Sequence, residues 1–166
     1  MNSWAKRVEV ATNIAILCAF IMVVALAAQR LLSTRGNAHN GEPAIGARVT
    51  LAGVDWSKAD RTLVLALSTT CHFCSESAPF YKRLLTDASS HGVPAWAVLP
   101  QPIDSSRAYL TGLGVPLPNV LQSSLGEIDV AGTPTLLIVD ARGKVQKAWV
   151  GKLAADREEQ VMAALR

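Results

Sequence analysis

The chain has 166 residues, with 16 lysines and arginines against 13 aspartates and glutamates, for a net charge of +3. Half of it is hydrophobic, only 5% is aromatic and 17% is charged, and the mean hydropathy is +0.26. This composition excludes a disordered or low-complexity chain, so small a net charge gives no nucleic-acid footprint, and three cysteines are too few for a disulfide-stapled scaffold.

Residues 1–9 form a short tail. From Val10 to Ala28 there are 19 residues without a charge, 17 of them apolar. As a helix this run is about 28 Å long, close to the hydrocarbon thickness of a bilayer. It predicts a single transmembrane anchor over 10–28, flanked by Lys6, Arg7 and Glu9 on one side and Gln29, Arg30 and Arg35 on the other. The small-x-small pattern Ala25-Leu26-Ala27 also suits a cleaved signal peptide, but the apolar run exceeds the usual ~7–15-residue core of one. Cys18 reads as a small apolar residue facing lipid. Two basic residues near each end leave the positive-inside balance almost even. A short cytoplasmic tail with the larger domain exported is the simpler topology. Without the anchor the chain is about 45% apolar, ordinary for a soluble domain.

Residues 29–44, with Ser33, Thr34, Gly36, Asn37, Asn40, Gly41 and Pro43, read as a tether. No internal repeat is present, and residues 45–166 form the folded domain. Val49-Thr50-Leu51 is expected to be a short leading strand, and Thr62 to Leu67 a strand buried on both faces. A helix is expected from Cys71 to about Ala88, then a strand over Ala95–Leu99, a helix over Ser105–Leu113 and a proline-rich extended piece from Val115 to Val120. Thr135–Val139, the turn Asp140-Ala141-Arg142-Gly143 and Val145–Val150 predict a hairpin. The last helix, Ala154 to Leu165, turns Val161, Met162 and Leu165 to one face. The order of elements predicts an α/β sandwich with a mixed sheet.

The chemistry-bearing motif is Cys71-His72-Phe73-Cys74, where the buried strand gives way to a helix. Residues three apart in a helical turn have Cα atoms about 5 Å apart, inside the window that a disulfide accepts. Free N–H groups and the positive dipole end of the helix favour a thiolate on Cys71. Cys74, one turn further in, is the more buried, resolving partner. His72, as an imidazolium, and Phe73 are the residues expected to tune the pair. A zinc site would need four ligands, and no second CxxC exists; His39 lies in the tether and His91 in a loop. A purely structural disulfide here would close a loop of only two residues and constrain the unfolded chain little. No metal, and no cofactor other than a redox-active Cys71–Cys74 disulfide, is expected.

Two further features agree. Pro79, inside the expected helix, would cost about 3 kcal/mol unless a kink is wanted. Gly132-Thr133-Pro134-Thr135 leads into a strand, and a cis Thr133–Pro134 bond would free backbone groups of Thr133 to pair with an extended peptide.

Cys71-His72-Phe73-Cys74, Pro79 and the run Gly132 to Asp140 resemble the thioredoxin superfamily, and more narrowly the membrane-anchored bacterial thiol–disulfide proteins of the TlpA/ResA type. The resemblance covers about Ile45 to Arg166, and the 59 residues between Cys74 and Pro134 leave room for that branch's extra strand–helix insert. It implies a thioredoxin-like three-layer α/β/α sandwich with a mixed central sheet. It implies further that Cys71 attacks, Cys74 resolves the mixed disulfide, and Thr133 and Pro134 hold the substrate backbone. The expected activity is that of a membrane-tethered thiol–disulfide oxidoreductase on the extracytoplasmic, periplasmic side. It would reduce or oxidise cysteines of partner proteins, in maturation of exported or cofactor-bearing proteins, and be recharged by a membrane or exported redox partner. The chain departs from the family pattern in three places. Thr69-Thr70 stand where an aromatic and a small residue are common, Ser77 stands where a glutamate is frequent, and the strand Leu63 to Leu67 has no buried acid. Glu76 is then the candidate proton relay. The lead-in Ser68-Thr69-Thr70-Cys71 also resembles thiol proteins of methylamine dehydrogenase maturation. Two other functions compete: a copper-delivery module on the same cysteines, since thiolates suit Cu(I), and a peroxiredoxin-like peroxidase.

Overall fold

The structure, a computed structural model, describes residues 45–115 and 117–166 together with Met22. The expected tail 1–9, tether 29–44 and, Met22 apart, anchor 10–28 lie outside the described residues. Among the described residues no helix is long and apolar enough to cross a membrane.

Five strands form one mixed sheet: β1 (Arg61–Ala66), β2 (Ala95–Leu99), β3 (Val120–Gln122), β4 (Thr135–Asp140) and β5 (Val145–Val150), in the order β3-β2-β1-β4-β5. β1 runs parallel to β2, as does β2 to β3, while β4 pairs antiparallel with β1 and with β5. β1 is central, which is why its apolar run is unbroken: alternate side chains enter two different cores. Leu63, Leu65 and Leu67 join Ala97, Leu99, Leu136 and Ile138 on one face, and Val64 and Ala66 join Val98, Leu137 and Val139 on the other.

Four α-helices are described: α1 (His72–Glu76), α2 (Ala78–Ser90), α3 (Ile103–Gly112) and α4 (Ala155–Ala163). The first core takes Cys74 from α1, Phe80, Tyr81 and Leu84 from α2, Leu110 from α3 and Val161 from α4. All the described α-helices therefore cover one face. The expected α/β/α layering is corrected here, because the other face is closed by Val49, Leu51, Ile128 and Val130 on loops and two 3-10 turns, Trp56–Lys58 and Leu125–Ile128. The reason is topological. β1, β2 and β3 step across the sheet in one direction, and right-handed crossovers of that kind put α2 and α3 on the same side.

Other differences are local. The helix expected from Cys71 to Ala88 is two helices meeting at Ser77, and Pro79 falls in the first turn of α2, where a missing N–H costs nothing. Val49–Leu51 is not a strand. Turns at 45–46 and 52–53 bracket it, and only Arg48 forms a bridge, with Lys144, although Val49 and Leu51 are buried. The extended piece ending at Val120 continues as β3, at the edge of the sheet. The β4–β5 hairpin forms as expected. Asp140 accepts the N–H groups of Arg142 and Lys144 at 2.9 Å, which hold its carboxyl below the ordinary range, and Gly143 takes φ +75° where a Cβ would meet Trp56 at 2.9 Å.

Candidate active site

Parallel strands deliver their carboxyl ends to one edge of the sheet, and the CxxC motif follows β1 there. Leu67 keeps the ladder for one more residue, its N–H donating to Val98 O at 2.9 Å. The chain then leaves the sheet through Ser68, whose carbonyl accepts the Cys71 N–H at 3.1 Å.

Cys71 is the N-cap of α1, in extended conformation, and its Sγ accepts the Cys74 N–H at 3.1 Å. That is the capping geometry usually supplied by a serine or aspartate oxygen, here filled by sulfur. Cys71 and Cys74 form a disulfide with Cα atoms 5.2 Å apart. Their exposures differ as the helix geometry requires: Cys71 is half-buried and Cys74 is completely buried. Only Cys71 can be approached from solution.

Thr133 and Pro134 arrive from the other side. The Thr133–Pro134 peptide is cis, Pro134 is buried, and the Thr133 carbonyl oxygen lies 3.4 Å from Cys71 Sγ. Thr135 steadies this loop by donating its hydroxyl to Gly132 O at 2.8 Å, and Pro134 O accepts the Gly151 N–H at 2.7 Å. Cys71, Cys74, Thr133 and Pro134, far apart in sequence, are thus brought together.

The remaining candidates lie on the outer side of α1. His72, with 79% of its side chain exposed, faces Glu76 at 3.0 Å, and Phe73 is 53% exposed with its ring tilted against that of His72. Glu76 also accepts from Lys152 Nζ at 2.9 Å. The Lys152 ammonium, first, and His72 beside it hold the Glu76 carboxyl below its ordinary range. Glu76 therefore spends both oxygens at the surface, one on the His72 ring and one on the Lys152 ammonium.

Behind the cysteines the polar groups are hydroxyls. Ser75 pairs with Tyr109 of α3 at 3.0 Å, and Ser77 donates to Phe73 O at 2.8 Å. Tyr81 is buried, and burial pushes its phenol far up, so it stays protonated. Sequence reasoning missed Lys152, Tyr109 and the Gln101 that grips Ser68 and Thr69. Each reaches the site across at least 32 residues of chain, and local pattern carries no signal of such contacts. Among the described residues no group of three or more histidines, cysteines and carboxylates is placed to hold a metal ion.

No protein-family model matches the sequence, and no curated protein does. The fold is nonetheless similar to solved structures. One is a thioredoxin-family thiol:disulfide interchange protein from Chlorobium tepidum, at 20% identity, covering 75% of this chain and 99% of that one, with a TM-score of 0.56. Another is the thioredoxin domain of a thiol–disulfide oxidoreductase from Bacteroides vulgatus, at 16% identity, 75% and 99% coverage and a TM-score of 0.58. A third is a secreted disulfide oxidoreductase from Mycobacterium tuberculosis, at 11% identity, 73% and 95% coverage and a TM-score of 0.53. At these identities the likeness is one of fold. The chain has a thioredoxin-like α/β fold with a mixed five-stranded sheet and a CxxC pair at disulfide distance.

Proposed function

We propose that this chain is a membrane-tethered, extracytoplasmic thiol–disulfide oxidoreductase acting on cysteines of partner proteins. The observation that carries the reading is the asymmetry of the pair: an approachable Cys71 capping α1 and a fully buried Cys74 at disulfide distance, beside the Thr133–Pro134 loop. In the reducing direction the Cys71 thiolate attacks one sulfur of a substrate disulfide, forming a mixed disulfide and releasing the other sulfur as a thiolate. Cys74 then gives up its proton and attacks Cys71 Sγ, which releases the second substrate thiolate and closes Cys71–Cys74. Two electrons pass from the protein dithiol to the substrate; run backward, the same steps oxidise a substrate dithiol.

The backbone of Thr133, in the cis-proline loop beside Cys71 Sγ, is the rest for an extended substrate segment. His72 and Phe73 border the attacking sulfur and tune it. Glu76, bound to His72 and Lys152, serves proton traffic at the surface through His72 rather than at Cys74. The anchor over 10–28 holds the domain outside the cytoplasmic membrane, and the recharging partner is a membrane or exported thiol protein.

The test is trapping in cells. Cys74→Ser is expected to accumulate mixed disulfides with partner proteins on Cys71, and Cys71→Ser to accumulate none. Equal trapping by both variants, or by neither, overturns the roles. Tight, stoichiometric Cu(I) binding without disulfide exchange would replace the oxidoreductase with the copper-delivery reading, and rapid peroxide consumption would replace it with a peroxidase. Protease added outside spheroplasts should release the domain from the membrane fraction; protection from it would overturn the topology.

A further inference from the structure

The parallel ladder between β1 and β2 ends at Ala66 and Val98, with Leu67 adding one more bond. Beyond it the chain leaves β2 at Pro100, and Gln101 stands between Pro100 and Pro102. Two fixed φ angles, and the bias of a residue preceding proline toward extended backbone, leave Gln101 little freedom. Its carbonyl is held further by the hydroxyl of Ser106, a residue with no exposed surface, at 3.2 Å.

The side chain of Gln101 crosses to the segment just before Cys71. Oε1 accepts the Thr69 N–H at 3.3 Å, and Nε2 donates to Ser68 Oγ at 2.9 Å. A backbone N–H can only donate, so the amide is oriented without ambiguity. Ser68 Oγ accepts a second time, from the Thr70 N–H at 3.3 Å, which leaves its own hydrogen for Thr70 Oγ1 at 3.1 Å. Every polar atom of the Ser68 side chain is committed, and Ser68 O takes the Cys71 N–H. Gln101 extends the sheet by one rung made of a side chain, at the place where the backbone ladder has run out.

We infer that Gln101 is a positioning residue for the thiol chemistry: its amide ties Ser68 and Thr69 to the carboxyl end of β2 and so fixes Cys71 against Cys74 and Thr133. This rests on the reading of Cys71 as the attacking thiol. Gln101 acts through Ser68 and touches no reacting atom. Fixing the N-cap is what keeps the Cys74 N–H aimed at Cys71 Sγ, and a thiolate there is only as stable as that alignment.

The experiment is the pH profile of Cys71 alkylation by iodoacetamide in the reduced full chain carrying Cys74→Ser, with and without Gln101→Leu. Loss of the amide is expected to move the profile up by about one pH unit, which lowers the rate at neutral pH about tenfold. Ser68→Ala, at the other end of the bond, should move it in the same direction. The double variant should move it by less than the sum of the two single shifts, because both changes delete the shared Gln101–Ser68 bond. An unmoved profile in folded Gln101→Leu, or fully additive shifts in the double variant, overturns the inference. Disulfide exchange by the chain with Gln101 and both cysteines intact, measured alongside, separates the two ideas. Its absence removes the functional reading while the profile still decides the role of Gln101.

Discussion

On the β2 side of Cys71 the contacts are neutral and sheltered: Gln101 to Ser68 and Thr69, backed by the buried Ser106. On the outer side of α1 they are exposed and include an ion pair: Glu76 with Lys152, and with the His72 ring on its other oxygen. The two flanks do different work because solvent treats them differently. A sheltered hydrogen bond between uncharged groups is not screened by salt, and losing one partner strands the other away from water. An exposed ion pair gains little Coulomb energy in a high dielectric and gives up side-chain entropy to hold its geometry. Position should therefore come from the neutral flank. The ionic flank contributes a local charge next to the attacking sulfur and a bridge to the loop behind Pro134, whose carbonyl takes the Gly151 N–H.

This contrast can be broken by experiment. The largest effect on stability is expected from Ser106→Ala, which removes the hydroxyl behind Gln101 and should cost about 1–3 kcal/mol in urea unfolding; a value near zero would mean that the neutral flank is not tied down. A smaller effect is expected from His72→Ala on the Cys71 alkylation profile. At low salt the profile should rise by less than in Gln101→Leu, and at about 1 M salt, where the screening length is about 3 Å, the difference should vanish. A His72 effect that survives high salt would transfer control of Cys71 to the ionic flank. The smallest effect is expected from Glu76→Gln. Because the folded protein holds this carboxyl below its ordinary value of 4.5, its contribution is fully present above that pH and is lost as pH falls through the lower folded value. Urea midpoints of the variant and the parent should therefore differ slightly at neutral pH and converge in acid. Divergence in acid would reverse the assigned direction.

Much of this arrangement is legible in the residues, and the exceptions have physical causes. The apolar run Thr62 to Leu67, the strand Ala95–Leu99 and the hairpin around Asp140 to Gly143 announce themselves by local pattern, since burial on both faces and a glycine turn leave direct marks in composition. Pro79 marks a helix boundary, but whether the helix bends or restarts depends on Ser77 serving both segments, which pattern does not show. The non-helical cover of the second sheet face was also hidden. Val49, Leu51, Ile128 and Val130 are too short a set of apolar residues, too scattered, to declare a layer.

By itself the sequence determined the CxxC pair at a strand-to-helix junction, the proline loop before β4 and the order of the elements. These are properties of neighbouring residues, set by covalent geometry, turn chemistry and apolar periodicity. Only the tertiary structure decided that the described helices share one face, that Glu76 turns to Lys152 instead of the cysteines, and that Gln101 holds the approach to Cys71. Those facts depend on how strands far apart in the chain align their ends, and a sequence states its neighbours along the chain, not across the sheet.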